Sequence, residues 1–245
     1  MNIDPKKIGI IIPAFNEHEN IVNLIKKIRK VISSKIIIID DSSNNFTKNK
    51  INNLLEKNII YIQRKKKLGR GSAVLHGLKN LCYKKKNIEY FIEMDADLSH
   101  NPLELNKKIK IFMSRKLDLL ISSRYMKNSK IKNWTLQRKI LSKISNILAN
   151  LIIKAPVTDY TNGYRMYSKK AALLILKKCV TSKNDFILLS EIILILYINK
   201  LRISEKSTIF VNRVKGKSNV NFILIAKSFF GLINLFFIKK KFIRV

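Results

Sequence analysis

The sequence is short of acid. It holds 16 Asp and Glu against 49 Lys and Arg, for a formal net charge of +33. Such a balance ordinarily points to nucleic acid or an anionic membrane surface. No zinc-finger spacing and no aromatic-glycine RNA-binding signature accompanies it, however. The basic runs at 64–67, 84–86 and 239–241 fall at element ends, and Lys, Ile and Asn are abundant together as a general bias. No nucleic-acid partner is expected. Cysteine is scarce as well: Cys82 and Cys179 share no short spacing, which excludes a disulfide framework and a cysteine-based zinc site and fits a reducing compartment. Long hydrophobic runs are missing. A spanning helix needs roughly 20 apolar residues, and the nearest approach, 222–238, is interrupted by Lys227 and Asn234. Residues 1–7 are polar and show no cleavage-like site, which is not the pattern of a secretory signal. These absences predict a cytoplasmic protein.

What the chain does have is alternation. Apolar runs at 8–12, 36–39, 59–62, 90–94 and 119–121 read as buried strands. Between them, Ile21, Leu24, Ile25 and Ile28, then Val74, Gly77, Leu78 and Leu81, then Leu105, Ile109 and Phe112, follow helical spacing, and a further short helix is expected around 51–55. Continuous apolar strands joined by helices predict an α/β fold, Rossmann-like, with a mostly parallel central sheet flanked by helices. In the second half, Ile140, Leu141, Ile144, Ile147, Leu148 and Leu151 predict a long amphipathic helix. Helices near 171–176 and 187–198 and a late strand at 209–211 follow. No repeat, linker or domain boundary is evident before about residue 219, so 1–219 reads as one catalytic domain and 220–245 as an apolar, basic C-terminal helix.

The scarce acids are concentrated where open α/β sheets place ligands. Asp95 and Asp97 follow the fourth strand, spaced so that both carboxylates could reach one hard cation, and Asn101-Pro102 then opens a helix with a cap residue and a first-turn proline. Pro13-Ala14-Phe15-Asn16-Glu17 ends the first strand. Its aromatic could stack on a nucleobase and Glu17 could accept from a base or ribose, although the same residues also make an ordinary turn. Asp40-Asp41-Ser42-Ser43 ends the second strand and reads equally as an Asx-turn. Gly69-Arg70-Gly71-Ser72 precedes a helix and reads either as a phosphate cradle or as a tight turn capped by Ser72. Ser122-Ser123-Arg124 ends the fifth strand on the same edge; Arg124 there could pair with one of the carboxylates. His18 and His100 flank motifs without metal spacing, while His76 and the lone Trp134 read as packing residues.

Taken in order, PAFNE at 13–17, DDSS at 40–43, GRGSAVLHGL at 69–78, MDADLSHNP at 94–102, SRY at 123–125, DYTNGYRMY at 159–167 and RVKGKSN at 213–219 resemble the dolichol-phosphate (polyprenol-phosphate) mannosyltransferases, family 2 glycosyltransferases of the GT-A fold. The likeness runs over residues 8–219. It implies an inverting transfer of mannose from GDP-mannose to a polyprenyl phosphate. By the resemblance, Pro13, Phe15, Glu17, Ile39 and Asp41 should contact the nucleotide. Asp95 and Asp97 should bind Mg²⁺ or Mn²⁺ and, with the Ala96 backbone, the sugar nucleotide. Arg124 and Arg213 should hold phosphates, with Asp95, Asp97 and Arg124 serving catalysis. Phe15 stands where Tyr is frequent, Leu189 where Gln is common, and Asn219 where close members carry Lys, a contact that Lys217 would have to replace. The same fold also serves UDP-sugars, giving polyprenyl-phosphate glucose or aminosugars or polysaccharide. A non-enzymatic nucleotide- or nucleic-acid-binding protein is a distant alternative that leaves Asp95 and Asp97 without a purpose.

The 220–245 segment is expected to lie on an anionic membrane surface without spanning it, which would make the protein peripheral. As a helix, 222–238 would be only about 25 Å long, with Lys227 inside the apolar stretch. The alternative is a helix buried on the domain or in a dimer.

Overall fold

The structure, a computed structural model, describes residues 4–54, 58–180, 185–212, 231, 235–237 and 239. The five apolar runs form β1 (Ile8–Ala14), β2 (Lys35–Asp40), β3 (Ile59–Gln63), β4 (Tyr90–Glu93) and β5 (Leu119–Ser123). Between them lie α1 (Ile21–Arg29), α2 (Phe46–Ile51, continued by a 3-10 turn at Asn52–Leu54), α3 (Arg70–Lys84) and α4 (Leu105–Ser114). The second half adds β6 (Lys130–Lys132), α5 (Leu136–Ile153), β7 (Arg165–Ser168), α6 (Lys169–Lys178), α7 (Asp185–Ile198), β8 (Ile203–Ser207) and β9 (Ile209–Val211). Seven strands form one sheet in the order β3-β2-β1-β4-β7-β5-β8, and β6 pairs with β9 beside it.

All pairings in the main sheet are parallel except those of β7, which runs antiparallel to β4 and to β5. The sheet is therefore mostly parallel, as the apolar runs predict. Side chains alternate across it. Ile11, Ile37, Ile39, Phe91, Leu119 and Ile121 join the core beneath α3, α5, α6 and α7. Ile8, Ile10, Ile12, Ile36, Ile38, Ile92 and Leu120 join the core beneath α1 and α4. The α1 positions Ile21, Leu24, Ile25 and Ile28 are all buried, so the helical period and the burial agree.

Two elements depart from what their pattern suggests. β7 is only four residues long and begins with a buried arginine, yet it sits in the middle of the sheet. Arg165 is tolerated there because three backbone carbonyls take its guanidinium: Nε donates to Asn162 at 2.8 Å, Nη1 to Leu189 at 2.7 Å and Nη2 to Tyr160 at 2.9 Å. α5 buries Asn146, Ala149 and Ile153 and turns its larger residues outward. Leu136, Ile140, Leu141, Ile144, Ile147 and Leu151 are all exposed.

α7 is apolar around most of its circumference and is buried over 187–196, where Ser190 and Glu191 are its polar residues and Glu191 accepts from the Val180 N–H at 2.9 Å. Part of its cover comes from the C-terminal segment, where Leu235 lies in the same core. Lys239 donates to the Ile152 carbonyl at the end of α5 at 2.6 Å, while Phe236 and Phe237 stay exposed. Residues 213–230 lie outside the described residues, as does most of 232–245. Among the described residues, no helix is long and apolar enough to cross a membrane.

Candidate active site

Parallel pairing puts the carboxyl ends of β1, β2, β4 and β5 on one edge, and the antiparallel β7 begins at that same edge. The loop before β7, carrying Asp159, Thr161, Asn162 and Gly163, thus meets the loops after the other four strands. β1 lies between β2 and β4, so the chain order reverses there, and the crevice outside such a switch point is where open sheets bind ligands.

β4 stops at Glu93, so Asp95 and Asp97 sit in the following turn and not on alternate strand positions. Leu98 takes a left-handed conformation with φ 63°, and Asp97 Oδ1 accepts from the Ser99 N–H at 3.0 Å. His100 fixes the other end of the turn. Its Nδ1 accepts from the Asp95 N–H at 3.0 Å, which leaves Nε2 to donate to Asn162 Oδ1, also at 3.0 Å. The ring is stacked on Tyr164 and edge-on to Phe210. Burial holds its pKa below the ordinary imidazole value despite Asp95 and Asp97 nearby. Asn162 Nδ2 in turn donates to the Ser122 carbonyl at the end of β5. One histidine therefore ties the acidic turn to two other loops.

Asp95 also meets Arg70, the first residue of α3. Arg70 Nε donates to Asp95 Oδ1 at 2.8 Å, and Arg70 Nη2 lies 2.7 Å from both Asp95 Oδ1 and Glu93 Oε1. Glu93 is completely buried, and its other oxygen accepts from the Tyr167 hydroxyl at 2.6 Å.

The candidate nucleotide residues lie across the crevice. Pro13 and Ile39 face each other in the β1–β2 register and are buried. Phe15 is half-buried, and Lys67 Nζ stands 3.8 Å over its ring. Glu17 accepts from Asn20 Nδ2 at 2.8 Å. Asp41 is buried and paired with Arg64, and its Oδ2 accepts from the Leu68 and Gly69 N–H groups at 3.0 and 2.9 Å. The backbone donors of the glycine loop are thus turned toward Asp41. Gly69, with φ 89°, is the cap residue just before α3, and Ser72 accepts from Arg64 Nη1 at 2.9 Å in place of capping the helix. Asp40 is internal, accepting from Ser42 and from the Tyr61 hydroxyl at 2.9 Å.

Arg124 is brought to the same edge, where it forks onto Asp159. Nε and Nη2 each donate at 2.8 Å to the two carboxylate oxygens, and Nη2 also donates to Thr161 Oγ1 at 2.6 Å. Asp159 lies below its ordinary pKa: burial pushes it up, but the Arg124 charge and the hydrogen bonds from Arg124 and Thr161 outweigh burial. Trp134 packs against Phe210 and under the Arg138 guanidinium, as a packing residue should. Arg213, Lys217 and Asn219 lie outside the described residues. The residues that sequence reasoning missed are Arg70, Glu93, His100 and Asn162. Their only sequence signal is membership of motifs whose partners lie far away in the chain.

Among the described residues no group of three or more His, Cys, Asp or Glu could hold a metal ion. The candidate donors are two carboxylates, Asp95 and Asp97, the first with its side chain 28% exposed and the second buried. All-oxygen donors of this kind fit a hard cation such as Mg²⁺ or Mn²⁺ whose remaining positions are filled by ligand phosphate oxygens and water.

A family model described as glycosyl transferase family 2 matches residues 9–174. Among curated relatives, a dolichol-phosphate mannosyltransferase of Pyrococcus furiosus is 33% identical over 164 residues, covering 63% of this chain and 45% of that protein. A polyprenol monophosphomannose synthase of Mycolicibacterium smegmatis is 30% identical over 178 residues, covering 71% of this chain and 66% of that protein. The matched region thus spans from under half to about two thirds of the length of these relatives. Among solved structures, S. aureus TarS 1–349 superposes with TM-score 0.57 at 16% identity, over 95% of this chain and 65% of that one. The 4-diphosphocytidyl-2C-methyl-D-erythritol synthase of Anaerococcus prevotii does so with TM-score 0.52 at 16% identity, over 95% and 97%. At that identity the two structures bear on the fold alone.

Proposed function

Because the chain belongs to glycosyl transferase family 2, we propose that it is an inverting glycosyltransferase moving mannose from GDP-mannose to a polyprenyl phosphate. One observation carries the reading. The Asp95–Asp97 turn and the 159–165 loop meet at one sheet edge, tied by His100 and Asn162, in a chain that aligns with two proteins named for mannose transfer to such lipids.

The chemistry asks for charge more than for proton transfer. A phosphate monoester has its second pKa near about 6, so the acceptor is an anion at neutral pH and needs no strong base. The leaving diphosphate gains negative charge as the glycosidic bond breaks. Asp95 and Asp97 would hold a divalent cation, which when bound supplies electrostatic stabilisation of that leaving group. Phe15 offers its ring to the base and Glu17 a carboxylate to base or ribose. Arg124 is forked onto Asp159, which balances its charge, so its part is to hold the 159–165 loop in place beside the acidic turn. Arg213, with Lys217 near Asn219, would reach the phosphates from the segment after β9.

The same reading places the protein peripherally on the cytoplasmic face of an anionic membrane, where the acceptor resides. The exposed Phe236 and Phe237 and the outward apolar face of α5 support it, while Leu235 and Lys239 beside them are docked on the domain.

A donor screen tests the proposal. Purified protein with Mg²⁺ is offered radiolabelled GDP-mannose, UDP-glucose or UDP-N-acetylglucosamine and a polyprenyl phosphate. Label from GDP-mannose alone should enter the lipid phase. Label from a UDP-sugar alone would replace the donor assignment, and no label from any donor would overturn the activity.

A further inference from the structure

We propose that Arg70 is a built-in counter-ion that occupies the metal-facing carboxylate Asp95 and must yield it before a divalent cation can bind. The inference rests on the reading of Asp95 and Asp97 as the metal ligands.

Asp95 Oδ1 already receives Arg70 Nε at 2.8 Å, and Arg70 Nη2 stands 2.7 Å from the same oxygen. Nε makes the hydrogen bond and Nη2 adds a close ionic contact, so that one oxygen already faces a unit positive charge. A dication arriving there meets both an occupied lone pair and direct repulsion. Arg70 need not leave the site to make room, because Glu93 Oε1 lies 2.7 Å from the same Nη2. Glu93 is completely buried, and an isolated carboxylate there would be costly, so it retains the guanidinium after Asp95 lets go. The arrangement is bistable: one cation shared by two carboxylates, or Arg70 on Glu93 with the dication on Asp95.

The surroundings are shaped for this guanidinium. A Cβ built on Gly163 would overlap Arg70 Nη2 and Cζ, and Gly163 does not adopt a left-handed φ. The glycine is therefore needed for the close approach of Arg70 and not for its own backbone. The 159–165 loop and α3 are fitted to each other around Arg70. With Nη2 held on Glu93, the Nε edge that Asp95 gives up would be left to a diphosphate bound in the crevice, so nucleotide and metal should help each other in: the metal takes Asp95 from Arg70, and the diphosphate replaces Asp95 as the partner of that edge.

Direct titration with Mn²⁺, following the free-ion signal by electron paramagnetic resonance, tests the inference without reference to turnover. Two perturbations act independently. Arg70→Gln combined with Glu93→Gln removes the charge without stranding the buried carboxylate, and keeps the Tyr167 contact. Gly163→Ala leaves the charge but pushes the flexible guanidinium aside. Both should bind Mn²⁺ more tightly than wild type, the double variant by about tenfold or more and Gly163→Ala by less. Adding GDP should tighten Mn²⁺ binding more in wild type than in the double variant. Unchanged or weaker Mn²⁺ binding in both variants, with wild-type binding abolished by Asp97→Ala, would overturn the counter-ion role while leaving the metal site standing. Absence of Mn²⁺ binding in wild type and variants alike would overturn the metal reading and this inference with it. A purely structural Arg70 would lower thermal stability on substitution without tightening Mn²⁺, and that result also overturns the proposal.

Discussion

Asp97 accepts from the Ser99 N–H within its own turn and Asp95 shares its oxygen with Arg70, yet the two carboxylates should fail alike. Replacing either with Ala removes one anchor of the proposed cation, and losing such an anchor withdraws several kcal/mol of transition-state stabilisation. Asp95→Ala and Asp97→Ala should therefore each leave less than about a tenth of the transfer rate at saturating Mg²⁺, since a tenth corresponds to only about 1.4 kcal/mol. Retention of more than that in a folded variant would remove that residue from the metal site. Asp159 makes a contrasting case. Asp159 is wholly buried and the Arg124 side chain is only 6% exposed, so breaking their fork strands a charge. Asp159→Asn should cost about 3–5 kcal/mol in a urea unfolding experiment, whereas a surface pair would cost under about 1. The pH dependence has a definite sign. The Asp159 carboxyl is held below its ordinary value of 3.8, so its contribution is complete above that value and is lost as pH falls through the lower folded one. Acid unfolding of wild type should be steeper below pH 3.8 than that of Asp159→Asn. Equal acid profiles would show that the pair contributes nothing there.

α3 shows how an element fixes the site at a distance. Its Gly77 lies against β1: an added Cβ would come within 2.6 Å of Ile11 Cγ2, inside a core with no slack. Gly77→Ala should therefore destabilise by about 1–3 kcal/mol through overpacking, although alanine favours helix over glycine. A gain in stability by thermal denaturation would mean that β1 and α3 can separate freely. The same elements explain what could be read from the sequence. β1, β2 and β5 were legible because they are buried on both faces and so appear as unbroken apolar runs, and β4 and the half-buried edge strand β3 carry shorter runs of the same kind. β7 was not, because its four residues open with Arg165, whose cost is met by carbonyls contributed from residues 160, 162 and 189. β8 was not, because an edge strand reading Ile-Ser-Glu-Lys-Ser has too little apolar content to declare itself. Missing β7 hid the direction in which the 159–165 loop returns. The carboxylates of the site were legible one by one, but Arg70 on Glu93 and His100 on Asn162 depend on that return.

At the scale of the whole molecule, charge and apolar exposure have to be considered together. A net charge of +33 attracts any anionic surface, but alone it gives no orientation. The outward face of α5 supplies one. Leu136, Ile140, Ile144, Ile147 and Leu151 follow i, i+4, i+8, i+11, i+15 and form one exposed stripe, flanked by exposed Lys139, Lys143 and Lys154. The opposite face of the same helix touches the site: Asn146 accepts from the Tyr160 N–H at 2.6 Å, and Ser142 accepts from the Tyr125 hydroxyl at 2.7 Å. A membrane against α5 would thus lie one helix diameter from the loops that must meet a lipid phosphate. Ile140 and Ile144 are 49% and 47% exposed, so Ile140→Glu with Ile144→Glu should leave the melting temperature within a few degrees of wild type. The same double variant should cosediment poorly with vesicles containing anionic lipid, and its transfer to long polyprenyl phosphates should fall more than its transfer to short soluble analogues. Wild-type binding should weaken as salt rises from about 0.1 to 1 M, because the screening length contracts from about 10 to 3 Å. The apolar stripe should keep some binding in place at high salt. Cosedimentation unchanged by the double substitution would place the membrane contact elsewhere on the molecule, and binding to neutral and anionic vesicles alike would deny the lysines their part in it.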